Sequence, residues 1–149
     1  DVKISDANAR ESDLLAFQIG IEIGRPGAVM CAYNRVGGEQ ACANKWLLDK
    51  VLRRDWGYKG FVMSDWGAMH DTVKDALGGL DQEAGVQEPK DYVYRDKLKA
   101  AIADGRVPMA VLDDKVRRIA RVLLLHALLA SNLDFFGKAL RGARGTTAR

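Results

Sequence analysis

The chain has 149 residues, of which 48% are hydrophobic and 29% are charged, a composition that is ordinary for a soluble globular protein. Twenty-three basic and 20 acidic side chains leave a formal net charge of +3, too small an excess to predict a nucleic-acid partner. No stretch reaches the roughly 18 apolar residues that a membrane-spanning helix needs. These properties favour a globular domain and argue against nucleic acid or membrane as the partner.

Helix-type and strand-type patterns alternate along the chain, which predicts an α/β fold with parallel strands. The first segment, residues 8–24, has apolar side chains at helical spacing and ends at Arg25-Pro26. The run at 28–33 is continuously apolar, as in a strand that is covered on both faces. The later elements are predicted as a helix over 44–55 capped by Asn44, a strand over 61–64, a helix over 68–77, a weak strand over 80–84, a loop over 86–91, and helices over 92–104 and 110–130.

Polar or aromatic side chains follow each predicted strand directly. In parallel α/β folds, functional residues gather where the strands end at their carboxyl side. Those ends are Tyr33 with its two successors, the pair Asp65-Trp66, and residues 81–83. The architecture therefore nominates Asp65 and its neighbours as a candidate site.

Asp65 has two interpretations on pattern alone. It could cap the helix that follows it, which is the commonest use of an aspartate after a strand. It could also serve as a catalytic carboxylate beside Trp66, because sugars present apolar C–H faces to aromatic rings and hydroxyls to carboxylates. A carboxylate at this position is costly to bury unless it is hydrogen-bonded or used.

Cys31 and Cys42 are the only two cysteines. They could pair if their Cα atoms lie within about 7 Å of each other. We expect two reduced, buried thiols, with a disulfide as the alternative, and the redox compartment stays undecided.

Five motifs occur in order: MCAYNRV at 30–36, ACAN at 41–44, WLL at 46–48, LRRDWG at 52–57 and GFVMSDW at 60–66. This ordered set, with its spacing, resembles glycoside hydrolase family 3 from about residue 5 to about residue 122. The resemblance implies a retaining β-glycosidase, commonly a β-glucosidase or β-xylosidase, whose nucleophile is the aspartate of the Ser-Asp-Trp motif, here Asp65. It implies a β-glycoside or oligosaccharide substrate and no metal or organic cofactor.

The resemblance also implies a fold and three substrate-binding residues. The family's first domain is a (β/α)8 barrel, so residues 28–33, 61–64 and 80–84 would be the last three strands of an incomplete barrel with C-terminal helices. Met30 and Tyr33 match positions that line the pocket around the cleaved sugar, and Trp66 matches part of the neighbouring subsite. By themselves Met30, Tyr33 and Trp66 fit core packing as well, and Glu83 is interpreted as structural.

We divide the chain into a partial barrel domain, 1–130, and a basic flexible tail, 131–149. The family's upstream strands, with a Lys-His segment, and its acid/base residue are not present, so we expect little or no turnover from this chain alone. The sugar is undetermined, and the family resemblance implies a secreted or periplasmic protein.

Two other functions compete with this hypothesis. A non-catalytic carbohydrate-binding or self-associating module would fit the missing acid/base and the open sheet edge, which invites strand pairing with another chain. The helices at 92–104 and 110–130 superficially resemble a helix-turn-helix. That interpretation is disfavoured, because Arg117, Arg118 and Arg121 are balanced by Asp113 and Asp114.

Overall fold

The computed structural model describes residues 1–86 and 88–144. Its helices are α1 (Asp6–Glu11), α2 (Asp13–Gly24), α3 (Thr72–Gly78), α4 (Arg95–Ala103), α5 (Met109–Arg144) and a π-type helix over Trp46–Asp55. Its strands are β1 (Ala28–Cys31), β2 (Arg35–Val36), β3 (Glu39–Gln40) and β4 (Phe61–Ser64), with single 3-10 turns at Ala41–Ala43 and Pro89–Asp91. None of the helices within the described residues has the length and apolarity to cross a membrane.

The central feature of the fold is the parallel pair formed by β1 and β4. Ala28 lies opposite Phe61, and Cys31 lies opposite Ser64. The predicted α/β class with parallel strands is confirmed, and both strands fall within the predicted ranges. Because the register places the two strand ends side by side, the residues that follow them emerge at the same edge.

The third predicted strand, 80–84, is reduced to one parallel bridge between Met63 and Gln82. The ladder fails for a local reason. The amide of Val62 donates to the carboxylate of Asp81 at 2.8 Å, and the carbonyl of Leu80 accepts instead from the hydroxyl of Tyr94 at 3.0 Å and from the ammonium of a buried lysine. Three backbone hydrogen bonds between this segment and β4 remain, so side chains replace only part of the ladder that a continuous third strand would have made.

A short antiparallel hairpin, β2–β3, was not predicted. Its strands flank Gly37 and Gly38 and pair through Arg35 with Gln40. Gly37 and Gly38 have φ values of +62° and +87°, the left-handed conformation that a two-residue hairpin turn requires. The hairpin reverses the chain direction and returns the chain to the end of β1.

The two cysteines form a disulfide, so the expectation of reduced thiols is wrong. Their Cα atoms lie 5.2 Å apart, and both residues are buried. The reason is the hairpin, because it returns the chain and places Cys42 against the end of β1. The separation of the two cysteines by 11 positions in the sequence does not by itself predict this reversal of the chain.

Several helix boundaries differ from the sequence-based expectation. The segment 8–24 is two helices that break at Ser12, whose hydroxyl donates to the carbonyl of Asn8 at 2.7 Å. Helix α3 begins at Thr72 rather than near 68, because the Asp71 side chain accepts from two amides in its first turn, and α4 begins at residue 95 rather than 92. The predicted cap is confirmed: the Asn44 side chain caps the Trp46–Asp55 helix by accepting from Leu47 at 3.0 Å.

The last helix does not end near residue 130. Helix α5 continues to Arg144, so residues 131–144 of the predicted tail are helical. Residues 145–149 of that tail lie outside the described residues. The division of the chain into a domain and a separate tail at residue 131 remains a prediction.

A buried ion cluster joins the core elements around Asp81, whose side chain is 0% exposed. Its carboxylate accepts from Arg53 at 2.6 Å and from Arg118 at 2.8 Å. Lys115 lies close by and donates to the carbonyl of Ala76 at 2.8 Å, and burial lowers the pKa of its ammonium to about 8. The cluster ties the Trp46–Asp55 helix and α5 to β4.

The Asp81→Asn substitution should lower the free energy of unfolding by about 3–5 kcal/mol, because it leaves two buried guanidinium groups without their counter-charge. Asp114→Asn is the matched control, since that carboxylate pairs with Arg117 at an exposed site and exposed pairs contribute little. Denaturant unfolding of both variants measures the difference. Equal losses would contradict the role of the buried cluster.

Gly78→Ala should destabilise the protein by about 1–3 kcal/mol, the usual cost of overpacking. A Cβ atom at Gly78 would overlap the backbone carbonyl of Ala43, which cannot move aside as a side chain can. Gly20→Ala, in the middle of α2, meets no atom within 4 Å and should stabilise by about 0.5–1 kcal/mol. Opposite signs in thermal unfolding are the expected result.

Candidate active site

Asp65 lies directly after β4 with a half-exposed side chain. Its carboxylate accepts one hydrogen bond, from the amide of Trp66 at 2.7 Å, and its carbonyl accepts from Ala68 at 3.2 Å. The capping interpretation is wrong, because Asp71 caps the following helix. The carboxylate of Asp65 is thus presented at the strand end and is not used to start α3.

Tyr33 occupies the matching place after β1. Its hydroxyl donates to the backbone carbonyl of Trp66 at 2.6 Å, which bridges the two strand ends. Partial desolvation, followed by the negative charge of Asp65, raises the pKa of the Tyr33 phenol. Since Tyr33 bonds to Trp66 and Trp66 bonds to Asp65, the structure brings these predicted residues together.

The two remaining predicted residues, Met30 and Trp66, are exposed. Met30 is 57% exposed on β1, one position before the strand ends, which does not fit a plain core methionine. Trp66 is 68% exposed, and the six-membered part of its indole lies over Gly85, where an added Cβ would be in contact at 3.7–3.8 Å. Hydrogen bonds join Tyr33, Asp65 and Trp66, and Met30 lies on the neighbouring strand.

A hollow of about 350 Å³ lies beside Trp66. Its lining residues come from the end of β4, from the turn after it, and from two stretches at 83–86 and 91–93. They are Ser64, Trp66, Gly67, Met69, Glu83, Gly85, Val86, Asp91 and Val93. Met69, Asp91 and Val93 were not predicted as site residues from the sequence. The signal that was available is the polar strand end at 81–83, which leads directly into this segment.

Glu83 lines this hollow and accepts hydrogen bonds from the backbone of another part of its lining. One carboxylate oxygen accepts from the amide of Val93 at 2.7 Å, and the other accepts from the amide of Tyr94 at 2.8 Å. The structural role predicted for Glu83 is therefore confirmed. Since both oxygens are engaged by backbone amides, Glu83 does not point a free acid at Asp65.

The chain is similar in sequence to a known protein family and to several of its members. Residues 1–122 match the model of the glycosyl hydrolase family 3 N terminal domain. Beta-glucosidase BoGH3A from Bacteroides ovatus is 35% identical over 138 residues, which cover 86% of this chain and 18% of that protein. Exo-alpha-(1->6)-L-arabinopyranosidase from Bifidobacterium breve is 41% identical over 113 residues, covering 76% of this chain and 14% of that protein.

A solved structure gives the same result. Beta-glucosidase 3B from Thermotoga neapolitana in complex with glucose is similar to this chain with a TM-score of 0.73 and 36% identity, over 82% of this chain and 18% of that one. The chain spans less than a fifth of the length of these three relatives. The resemblance recognised from the motifs is confirmed over nearly the same residues, and the chain belongs to glycosyl hydrolase family 3, whose N-terminal domain it matches.

Proposed function

We propose that the protein containing this chain is a retaining β-glycosidase of β-glucosidase type, which hydrolyses terminal β-linked sugars through a covalent intermediate on Asp65. The observation that carries the proposal is the placement of the Asp65 carboxylate at the end of β4, half-exposed and beside the hydroxyl of Tyr33. Two of the three relatives described above are β-glucosidases, which supports glucose as the glycone.

The chemistry needs an ionised carboxylate that can reach the anomeric carbon. In the first step an Asp65 oxygen bonds to that carbon while the glycosidic C–O bond breaks, and a second carboxyl group protonates the leaving oxygen. In the second step water, activated by that same group, releases the sugar and frees Asp65. The amide of Trp66 orients the nucleophile, since it donates to one carboxylate oxygen, and Met30, Tyr33 and Trp66 contact the sugar.

The second carboxyl group lies about 5–5.5 Å from the nucleophile in retaining enzymes. We propose that it comes from outside these 149 residues, because the relatives are more than five times as long as the matched segment. Residues 28–31, 61–64 and 80–84 then supply the last three strand positions of a (β/α)8 barrel. The Cys31–Cys42 disulfide supports a secreted or periplasmic location, because disulfides persist in oxidising compartments.

In the full-length protein, Asp65→Asn should reduce kcat on a nitrophenyl β-glucoside on the order of 10⁴-fold, because the nucleophile is lost. A 2-deoxy-2-fluoroglucoside should label the wild type on the peptide that carries Asp65, as measured by mass spectrometry. Asp49→Asn, at an exposed ion pair, is the control that keeps both activity and labelling. Undiminished activity in Asp65→Asn would contradict the role of Asp65 as the nucleophile. Sugar binding with self-association and no turnover in the wild type would favour a non-catalytic module.

The same substitution should lower the raised pKa of Tyr33 toward the ordinary value for a phenol. The reason is electrostatic: Asp65 disfavours the tyrosinate through its negative charge, and asparagine carries no charge. Titration of ring-labelled tyrosines by NMR measures the change, with Tyr33→Phe assigning the signal and Asp96→Asn as a remote control. An unchanged Tyr33 titration in Asp65→Asn would show that the two side chains are not neighbours.

A further inference from the structure

We infer that Glu83 is a positioning residue that fixes the outer wall of the hollow beside Trp66, and that this wall selects among leaving groups. The inference rests on the proposed function and adds to it a specificity determinant. Glu83 lies within the segment predicted as the third strand, 80–84, whereas the wall that it holds lies ten and eleven positions further along the chain, at Val93 and Tyr94.

The wall is held from three directions. Glu83 accepts from the two successive amides of Val93 and Tyr94, and hydrogen bonds to a charged acceptor are stronger than bonds between neutral groups. The carbonyl of Val93 accepts from the hydroxyl of Thr72 at 2.6 Å. The hydroxyl of Tyr94 donates to the carbonyl of Leu80 at 3.0 Å. Of these anchors, Glu83 alone also lines the hollow.

Trp66 divides the candidate site into two sides. Its backbone carbonyl faces Tyr33, while its indole faces Gly85 and the hollow. A sugar attacked by Asp65 and contacted by Tyr33 occupies the first side. The group that leaves the anomeric carbon then extends across the indole into the hollow, where Val93 lies on the wall that Glu83 holds.

The hollow suits a leaving group that has an apolar face and hydroxyls. Trp66, Met69 and Val93 provide apolar surface, and the carboxylate of Asp91 can accept from hydroxyls. An aromatic aglycone or a second pyranose ring fits this chemistry, whereas a single-atom leaving group does not reach the wall. The position of the wall therefore affects large leaving groups selectively.

The test compares Glu83→Gln, Glu83→Ala and the wild type in the full-length protein. Three substrates share the glycone: 4-nitrophenyl β-glucoside, cellobiose and β-glucosyl fluoride. In Glu83→Gln, kcat/KM should fall about tenfold on the first two substrates, because one of the two bonds to the wall is lost and the other no longer has a charged acceptor. Glu83→Ala should lose more, and β-glucosyl fluoride should stay within about twofold in both variants.

The controls separate this inference from a general loss of folding or chemistry. Glu11→Gln changes an exposed glutamate on α1 and should leave all three substrates unaffected. Glu83→Gln retains one acceptor, so it decides the question even where Glu83→Ala does not fold. An equal fall on all three substrates, or no fall on any, overturns the inference while the proposed function stands. A wild-type protein that hydrolyses none of the three overturns the proposed function, and the inference with it.

Discussion

The structure depends on a buried carboxylate, that of Asp81, which accepts a hydrogen bond where a peptide carbonyl would accept one in a continuous sheet. It accepts from the amide of Val62 in the middle of β4, three positions before Asp65, and its charge is balanced by Arg53 and Arg118. A fully buried charge is tolerated only when it is paired and hydrogen-bonded. The strand that presents Asp65 is therefore held by one helix that precedes it in the chain and one that follows it.

The candidate site follows from the parallel pairing of the two strands. Cys31 and Ser64 lie in register, so Tyr33 and Trp66 stand two positions beyond equivalent points, and the Tyr33 hydroxyl reaches the carbonyl of Trp66. This bridge satisfies the backbone of the turn without using the Asp65 side chain. The carboxylate is left with one backbone donor, which orients it and, in the proposed mechanism, leaves its second oxygen for the substrate.

The sequence predicts the features that depend on local pattern. The apolar runs give β1 and β4, Asn44 caps its helix, and an aspartate and a tryptophan after a buried strand mark the site. The missed features depend on contacts between distant residues. Arg118 reaches Asp81 across 37 positions, and no periodicity in 80–84 shows that side chains replace part of its ladder. The disulfide depends on the β2–β3 hairpin. The end of α5 was missed because the tail from residue 131 was predicted to be flexible from its composition alone.

Segment 80–84 shows why one part of the site can be fixed while another varies. A continuous third strand would bind its neighbours through backbone groups, whatever its side chains. Here backbone bonds to β4 are supplemented by side chains: the carboxylate of Asp81 anchors β4, the hydroxyl of Ser64 accepts from Ala84 at 2.9 Å, and Glu83 holds the wall of the hollow. Because Asp81 and Glu83 bind different elements, a substitution at Glu83 can move the wall without moving the strand that carries Asp65. In the proposed mechanism, the nucleophile and the surface that selects the leaving group are thus set by separate side chains on one short segment.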